Sequence, residues 1–188
     1  NGGVLGGNWS TGRLNRILVP EQDILGSEGG YISGDLTRVP VWKPGVTARL
    51  LETQAPDKPR VIFSTARPGP WNFSVHSEAD LRLLYAGTVA NAASVFFFMY
   101  RPLLERPQMR ALAEMNRFVE KNAAYYRGTR SEAAAALVWS DTTANFYDGA
   151  DAQLIESDRV PARSEVGNLS GEFSGLADTL LRSQTPFD

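Results

Sequence analysis

The 188-residue chain contains no cysteine and a single histidine. The first absence excludes disulfides, thiolate metal sites and cysteine nucleophiles, and leaves the redox compartment undecided. The second leaves carboxylates as the only ligands for a local metal centre, and no cluster of acids has the spacing for one. Neither sign of charge dominates: 19 Lys and Arg stand against 21 Asp and Glu, a net charge of −2. No nucleic acid and no anionic membrane is therefore implied as a partner. The longest apolar run, residues 92–100 with Ser94 inside it, is too short to cross a bilayer. A Gly-x-Ser-x-Gly elbow, a dinucleotide fingerprint and a phosphate loop are also missing. The pairs Gly2-Gly3, Gly6-Gly7 and Gly29-Gly30 fit none of them.

What is present is a globular composition, 43% hydrophobic and 21% charged, arranged as strands alternating with helices. Asp23-Ile24-Leu25 reads as a short buried strand, ended by the sharp turn Ser27-Glu28-Gly29-Gly30. A proline-rich stretch with a helical candidate at residues 46–52 leads to a clear strand at residues 60–65, then to a Pro/Gly/Trp loop. Ser77 has the character of an N-cap, with Glu78 and Asp80 in the first turn of a helix over residues 77–93. Residues 94–100 are continuously apolar, which suits a parallel strand covered on both faces. Pro107 suits the first turn of the next helix, with Met109, Leu112, Met115, Val119 and Tyr126 on one face and Gly128 as its stop. Residues 133–140 read as a further strand. Ser170 reads as the cap of a last helix that turns Phe173, Leu176, Leu180 and Leu181 inward. This order predicts an α/β fold with a parallel sheet.

The residues able to carry chemistry lie just after strands. Glu28 is the foremost catalytic candidate: a carboxylate at a strand's end, beside two glycines that allow close approach. The alternative is a Glu that bonds loop amides. Arg67 and Trp71, in the loop after residue 65, pair a forked donor with a flat apolar ring, the combination that suits sugar hydroxyls and pyranose faces. Packing of the loop is the alternative for Trp71. Asn8 and Trp9 form a similar, weaker pair, and Trp42 suits packing. His76 is either a loop residue before a helix or a substrate contact. Glycoside hydrolysis in its common form needs two carboxylates flanking the bond. Glu105 is the other acid close after a strand, but its place at a helix start suits the helix dipole. Asp23 belongs to the strand's opposite end.

The pieces Asn1-Gly2-Gly3, residues 23–29, the strand at Arg60, residues 77–126, Gly128 and Trp139-Ser140-Asp141 with Phe146-Tyr147 together resemble a family. It comprises the glycoside hydrolases related to family-42 β-galactosidases and α-fucosidase-like barrels, also called hypothetical glycosyl hydrolase family 6. The resemblance implies that residues 1–128 are the C-terminal portion of a (β/α)8 TIM barrel. Residues 129–188 would begin a glutamine-amidotransferase-like, trimerisation-type α/β domain. On that mapping the chain is a piece of a longer protein, and the loops after Glu28 and Thr65 share the catalytic face. The implied activity is cleavage of O-glycosidic bonds in a carbohydrate substrate by a carboxylate pair that includes Glu28. No metal or cofactor is implied, and the full-length protein would be a homo-oligomer. The strand at residues 60–65 leads into Ala66-Arg67 without the acid that family-42 enzymes carry after the seventh strand, so Glu28 is not assigned as nucleophile or as acid. Two other readings stay open: a non-catalytic carbohydrate-binding or scaffold barrel, and a small α/β domain of another enzyme class.

Overall fold

The computed structural model describes residues 6–7, 15–30, 40–66, 75–140, 143 and 169–188. Four parallel strands follow one another in sequence order across one sheet: β1 (Gly6–Gly7), β2 (Ile24–Ser27), β3 (Arg60–Thr65) and β4 (Ser94–Phe98). β1 is a two-residue edge, so β2 to β4 carry the sheet. Leu25 registers with Arg60 and Ser27 with Ile62, while Val61 registers with Ser94 and Thr65 with Phe98. The described helices are α1 (Asn15–Leu18), α2 (Lys43–Gln54), α3 (Glu78–Val89), α4 (Met109–Lys121) and α5 (Leu169–Arg182).

Two of the helices have a local reason to start. Pro44 occupies the first turn of α2, where its missing N–H costs nothing. α3 begins with a reciprocal capping box: the Asp80 N–H donates to Ser77 Oγ (3.1 Å), and the Ser77 N–H donates to Asp80 Oδ2 (3.2 Å). These helices form one layer on one face of the sheet. α2 packs on β2, β3 and α3, and α3 packs in turn on β4 and α4. Leu25 and Ile62 meet Ala48 and Leu51 of α2 in the main core, and all four are fully buried. Burying each of the larger three contributes about 1.5–3 kcal/mol. Leu81 and Tyr85 of α3 join Leu112 of α4 over Val95 and Phe97 of β4. Burial raises the Tyr85 phenol above its ordinary pKa, while its hydroxyl donates to Asn116 Oδ1 at 2.5 Å.

The amino end of the sheet is tied by two cations that bond backbone carbonyls. Lys58 Nζ donates to the carbonyls of Val19 (2.7 Å), Pro20 (2.9 Å) and Gln22 (2.6 Å), holding the segment before β2. Arg60 donates from Nε and Nη2 to the Ala92 carbonyl (3.2 and 3.1 Å) and from Nη1 to that of Pro56 (3.1 Å). Ala92, with φ of 55°, makes the left-handed turn into β4. The helix expected to run to residue 93 ends earlier, at Val89.

The chain after α4 returns to α2. Ala135 makes a single parallel bridge with Phe187, and Phe173, Ala177 and Phe187 pack with Val46 of α2. Trp42 Nε1 donates to Asp178 Oδ1 at 3.0 Å, and Arg182 Nε donates to Asp178 Oδ2 at 2.5 Å. Arg182 first, and Trp42 second, hold the Asp178 carboxyl below its usual range. Asp188 Oδ1 accepts from Arg49 (3.1 Å) and from Ser131 Oγ (2.7 Å).

Several expectations are corrected here. The described residues form an α/β fold but no TIM barrel: a barrel closes eight strands edge to edge, and this is a small open sheet with β1 and β4 at its edges. Strand–helix alternation is common to all parallel α/β sheets and carries no information about closure. Residues 133–140 are extended but, apart from the Ala135 bridge, form no strand, and no second sheet is present among the described residues. α4 stops at Lys121, and Gly128, at φ of 66°, lies beyond it. Ser170 falls inside α5, whose buried side is Phe173 and Ala177; Leu176 and Leu181 are exposed.

Two outcomes follow from these contacts. Ser77→Ala removes the capping box and should cost about 1 kcal/mol, seen as a Tm lowered by roughly 2–4 °C; an unchanged melt would deny the cap its role. Asp178 has a lowered folded pKa, so its contribution is present above its unfolded pKa and is lost as pH falls through the folded value. The fall in Tm on acidification from neutral pH should therefore be smaller in Asp178→Asn than in the wild-type chain. Parallel pH profiles would show that the carboxylate adds nothing.

Candidate functional site

In a parallel sheet, ligands bind beyond the carboxyl ends of the strands, and Glu28 directly follows β2 at that end. Ser27 is fully buried on the side of Leu25, which faces α2. A Cβ added to Gly29 would lie 2.4 Å from Thr47 Cγ2, so position 29 also faces α2. Glu28 lies between them, partly buried. Continuing the register by one residue sets it alongside Phe63, which pairs with Phe96.

The glycines make this course possible. The Gly30 N–H donates to the Phe63 carbonyl at 3.1 Å, carrying the chain over the end of β3. A Cβ at Gly30 would stand 2.4 Å from Ser64 Cβ and 2.6 Å from the Phe63 oxygen. The chain thus passes between α2 and β3 with room for hydrogen atoms only. Thr47 is pressed into the same contact, and its Oγ1 is buried without a hydrogen-bond partner. An orphaned buried hydroxyl is a cost, tolerated where the approach is closest.

Beside Glu28, the sheet face opposite the helices is aromatic. Phe63 and Phe96 meet edge to face, with ring centroids 5.5 Å apart and planes at 77°. Phe98 and Tyr100 repeat the arrangement at 5.5 Å and 80°. Phe96, Phe98 and Tyr100 are about half exposed, whereas Phe97 and Val95 pack against the helices. β4 is therefore covered on one face among the described residues, not on both as its continuous hydrophobicity suggested. Sequence reasoning missed these rings: with Phe at 96, 97 and 98, no alternation marks which side is open.

His76 is buried, and its N–H donates to the Ala66 carbonyl at 2.9 Å. It is thereby anchored at the carboxyl end of β3, one residue before the Ser77 cap. Arg67, Trp71, Asn8 and Trp9 lie outside the described residues, so Glu28 and His76 are the sequence candidates whose setting is described. Glu105 is exposed in the turn before α4, and Asp23 precedes β2 at its amino end. Trp42 packs between α2 and α5. Among the described residues no group of three or more His, Cys, Asp or Glu could hold a metal ion, and no helix is long and apolar enough to cross a membrane. No family model, curated protein or solved structure matches this chain.

The tight glycine passage has a direct test. Gly29→Ala and Gly30→Ala should each destabilise by about 1–3 kcal/mol through overpacking. Gly87→Ala, in the last turn of α3 with no atom within 4 Å of the added Cβ, should instead stabilise by about 0.5–1 kcal/mol. Urea unfolding of the three variants distinguishes local clash from a general intolerance of alanine.

Proposed function

We propose that the chain contributes to a carbohydrate-acting site in which Glu28 is one member of a carboxylate pair that cleaves an O-glycosidic bond. The observation that carries this reading is the place of Glu28: it directly follows β2 at the carboxyl end of the sheet, one residue beyond the Ser27–Ile62 pair, where Phe63 and Phe96 meet edge to face. Aromatic rings offer the flat apolar surface that a pyranose presents its C–H groups to, and a carboxylate beside them can act as acid, base or nucleophile. The resemblance to glycoside hydrolases read from the sequence points the same way. Arg67 and Trp71, on the stretch between Ala66 and His76, would add a forked donor and a further ring. No metal or cofactor enters this scheme. The Ala66–His76 hydrogen bond brings the two ends of that stretch together at the carboxyl end of β3.

A second reading is binding without turnover. It is favoured by one observation: among the described residues no other acid follows a strand of the sheet as directly as Glu28 does. The two are separated by an assay on aryl glycosides. With hydrolysis, Glu28→Gln should lower kcat by about two to four orders of magnitude, the contribution of a positioned acid or base. Binding of the unreacted sugar should change little, because the replaced group keeps its size. An active wild-type chain whose Glu28→Gln variant keeps its rate would remove Glu28 from the chemistry. Sugar binding with no hydrolysis in either form would favour the second reading.

A further inference from the structure

We infer that two copies of the chain pair through their β4 edges, antiparallel about a two-fold axis that passes through Phe97 perpendicular to the sheet. Among the described residues β4 is bonded to β3 on one side and to no strand on the other. The Phe98 carbonyl accepts from the Ala66 N–H, on the β3 side. The N–H and C=O of one strand residue point the same way, and successive residues alternate. Ser94, Phe96 and Phe98 therefore bond toward β3, while Val95, Phe97 and Met99 turn their backbone groups outward. No hydrogen bond takes up the outward groups of Val95 and Phe97 among the described residues. Such a row fits one kind of partner, another extended strand.

The edge carries none of the devices that keep strands apart: Ser94–Phe98 holds no charge, no proline and no bulge. The opposite edge, β1, is two residues long and too short to serve. β4 is also its own complement, as an isologous contact requires. With Phe97 opposite Phe97, Val95 exchanges hydrogen bonds with Met99 of the second copy. Phe96 of each copy then falls opposite Phe98 of the other, in the pairs where side chains stand closest. Aromatic pairs at such positions stabilise a sheet. Ser94 meets Tyr100, whose backbone is still extended (φ −90°, ψ 146°). An axis at Phe96 would set Phe98 against Ser94 and leave a single aromatic pair. Phe96, Phe98 and Tyr100 are about half exposed, so each ring contributes about 75–125 Å² of burial at most. Three such rings fall short of half of the roughly 800 Å² that each partner buries in a stable complex. The dimer is therefore weak, with a Kd of roughly tens to hundreds of micromolar. The second copy lengthens the sheet sideways and adds no layer over its open face.

The test is sedimentation velocity of the 188-residue chain from about 5 to 500 µM, a range that brackets so weak an affinity. Wild type should pass reversibly from monomer to dimer. Phe96→Lys combined with Phe98→Lys sets like charges opposite one another in both open-face pairs and should raise Kd at least about tenfold. Far-UV circular dichroism checks that this variant folds. Leu176→Lys, at an exposed position of α5, should leave Kd within about twofold, which separates edge pairing from general stickiness. The chain has no cysteine, so introduced cysteines report the register, whether or not the Lys variant folds. Under mild oxidation a mixture of Phe96→Cys and Phe98→Cys chains should form the mixed disulfide dimer, because facing Cα atoms stand about 4.5 Å apart. Phe96→Cys alone should form little. Efficient cross-linking of Phe96→Cys alone would overturn the two-fold at Phe97. A wild-type chain monomeric throughout, growth past the dimer, or a dimer that the double Lys variant keeps would overturn the pairing itself.

Discussion

The arrangement depends on one topological constraint: four parallel strands laid down in sequence order. Consecutive parallel strands need a crossover of one hand, and when each strand adds to the same edge, every crossover helix falls on the same side. α2, α3 and α4 accordingly touch one another in turn and cover one face. The sheet's apolar residues are thereby sorted. Leu25, Ile62, Val95 and Phe97 enter the core, and Phe63, Phe96 and Phe98 are left on the other face. The exposure of the aromatic rings follows from that sorting.

The two ends of the sheet are built by different means. At the amino end, Lys58 and Arg60 saturate backbone carbonyls with charge-assisted hydrogen bonds, which are stronger than neutral ones and fix the turns that enter β2 and β4. At the carboxyl end the chain comes into close contact, Gly29 against Thr47 and Gly30 against Ser64, and the Gly30 N–H donates to the Phe63 carbonyl.

Much of this was legible in the sequence where a single local rule suffices. The strand Arg60–Thr65 is framed in sequence by Pro59 and by the prolines and glycine that follow Arg67, and its bounds match the reading. Ser77 followed by Asp80 announces the start of α3, and both hydrogen bonds of the box are present. The helical candidate at residues 46–52 fell inside α2 but missed its first turn, because Lys43 and Pro44 carry a start signal without a polar cap. What was not legible depends on partners distant in sequence. Barrel closure is set by which edges meet, and no residue reports that. Residues 133–140 have strand-like composition, yet their hydrogen-bonding partners are Pro186 and Asp188, not another strand of the sheet. Of the candidate site, Glu28 and the glycines beside it were visible because a carboxylate next to two glycines is unusual. The aromatic face was not, because three successive Phe residues hide the two-residue period.

The open face also has a direction, and this bears on what covers it. At the amino end it presents Gly26, Val61 and Ser94; toward the carboxyl end come Phe63, Phe96, Phe98 and Tyr100. A second helix layer would press along the whole length of the strands and would be met by apolar bulk at both ends, as the α2 side is by Leu25, Ile62 and Ala93. A ligand at the carboxyl end needs rings only there. That gradient favours a ligand site at the carboxyl end over a general packing surface.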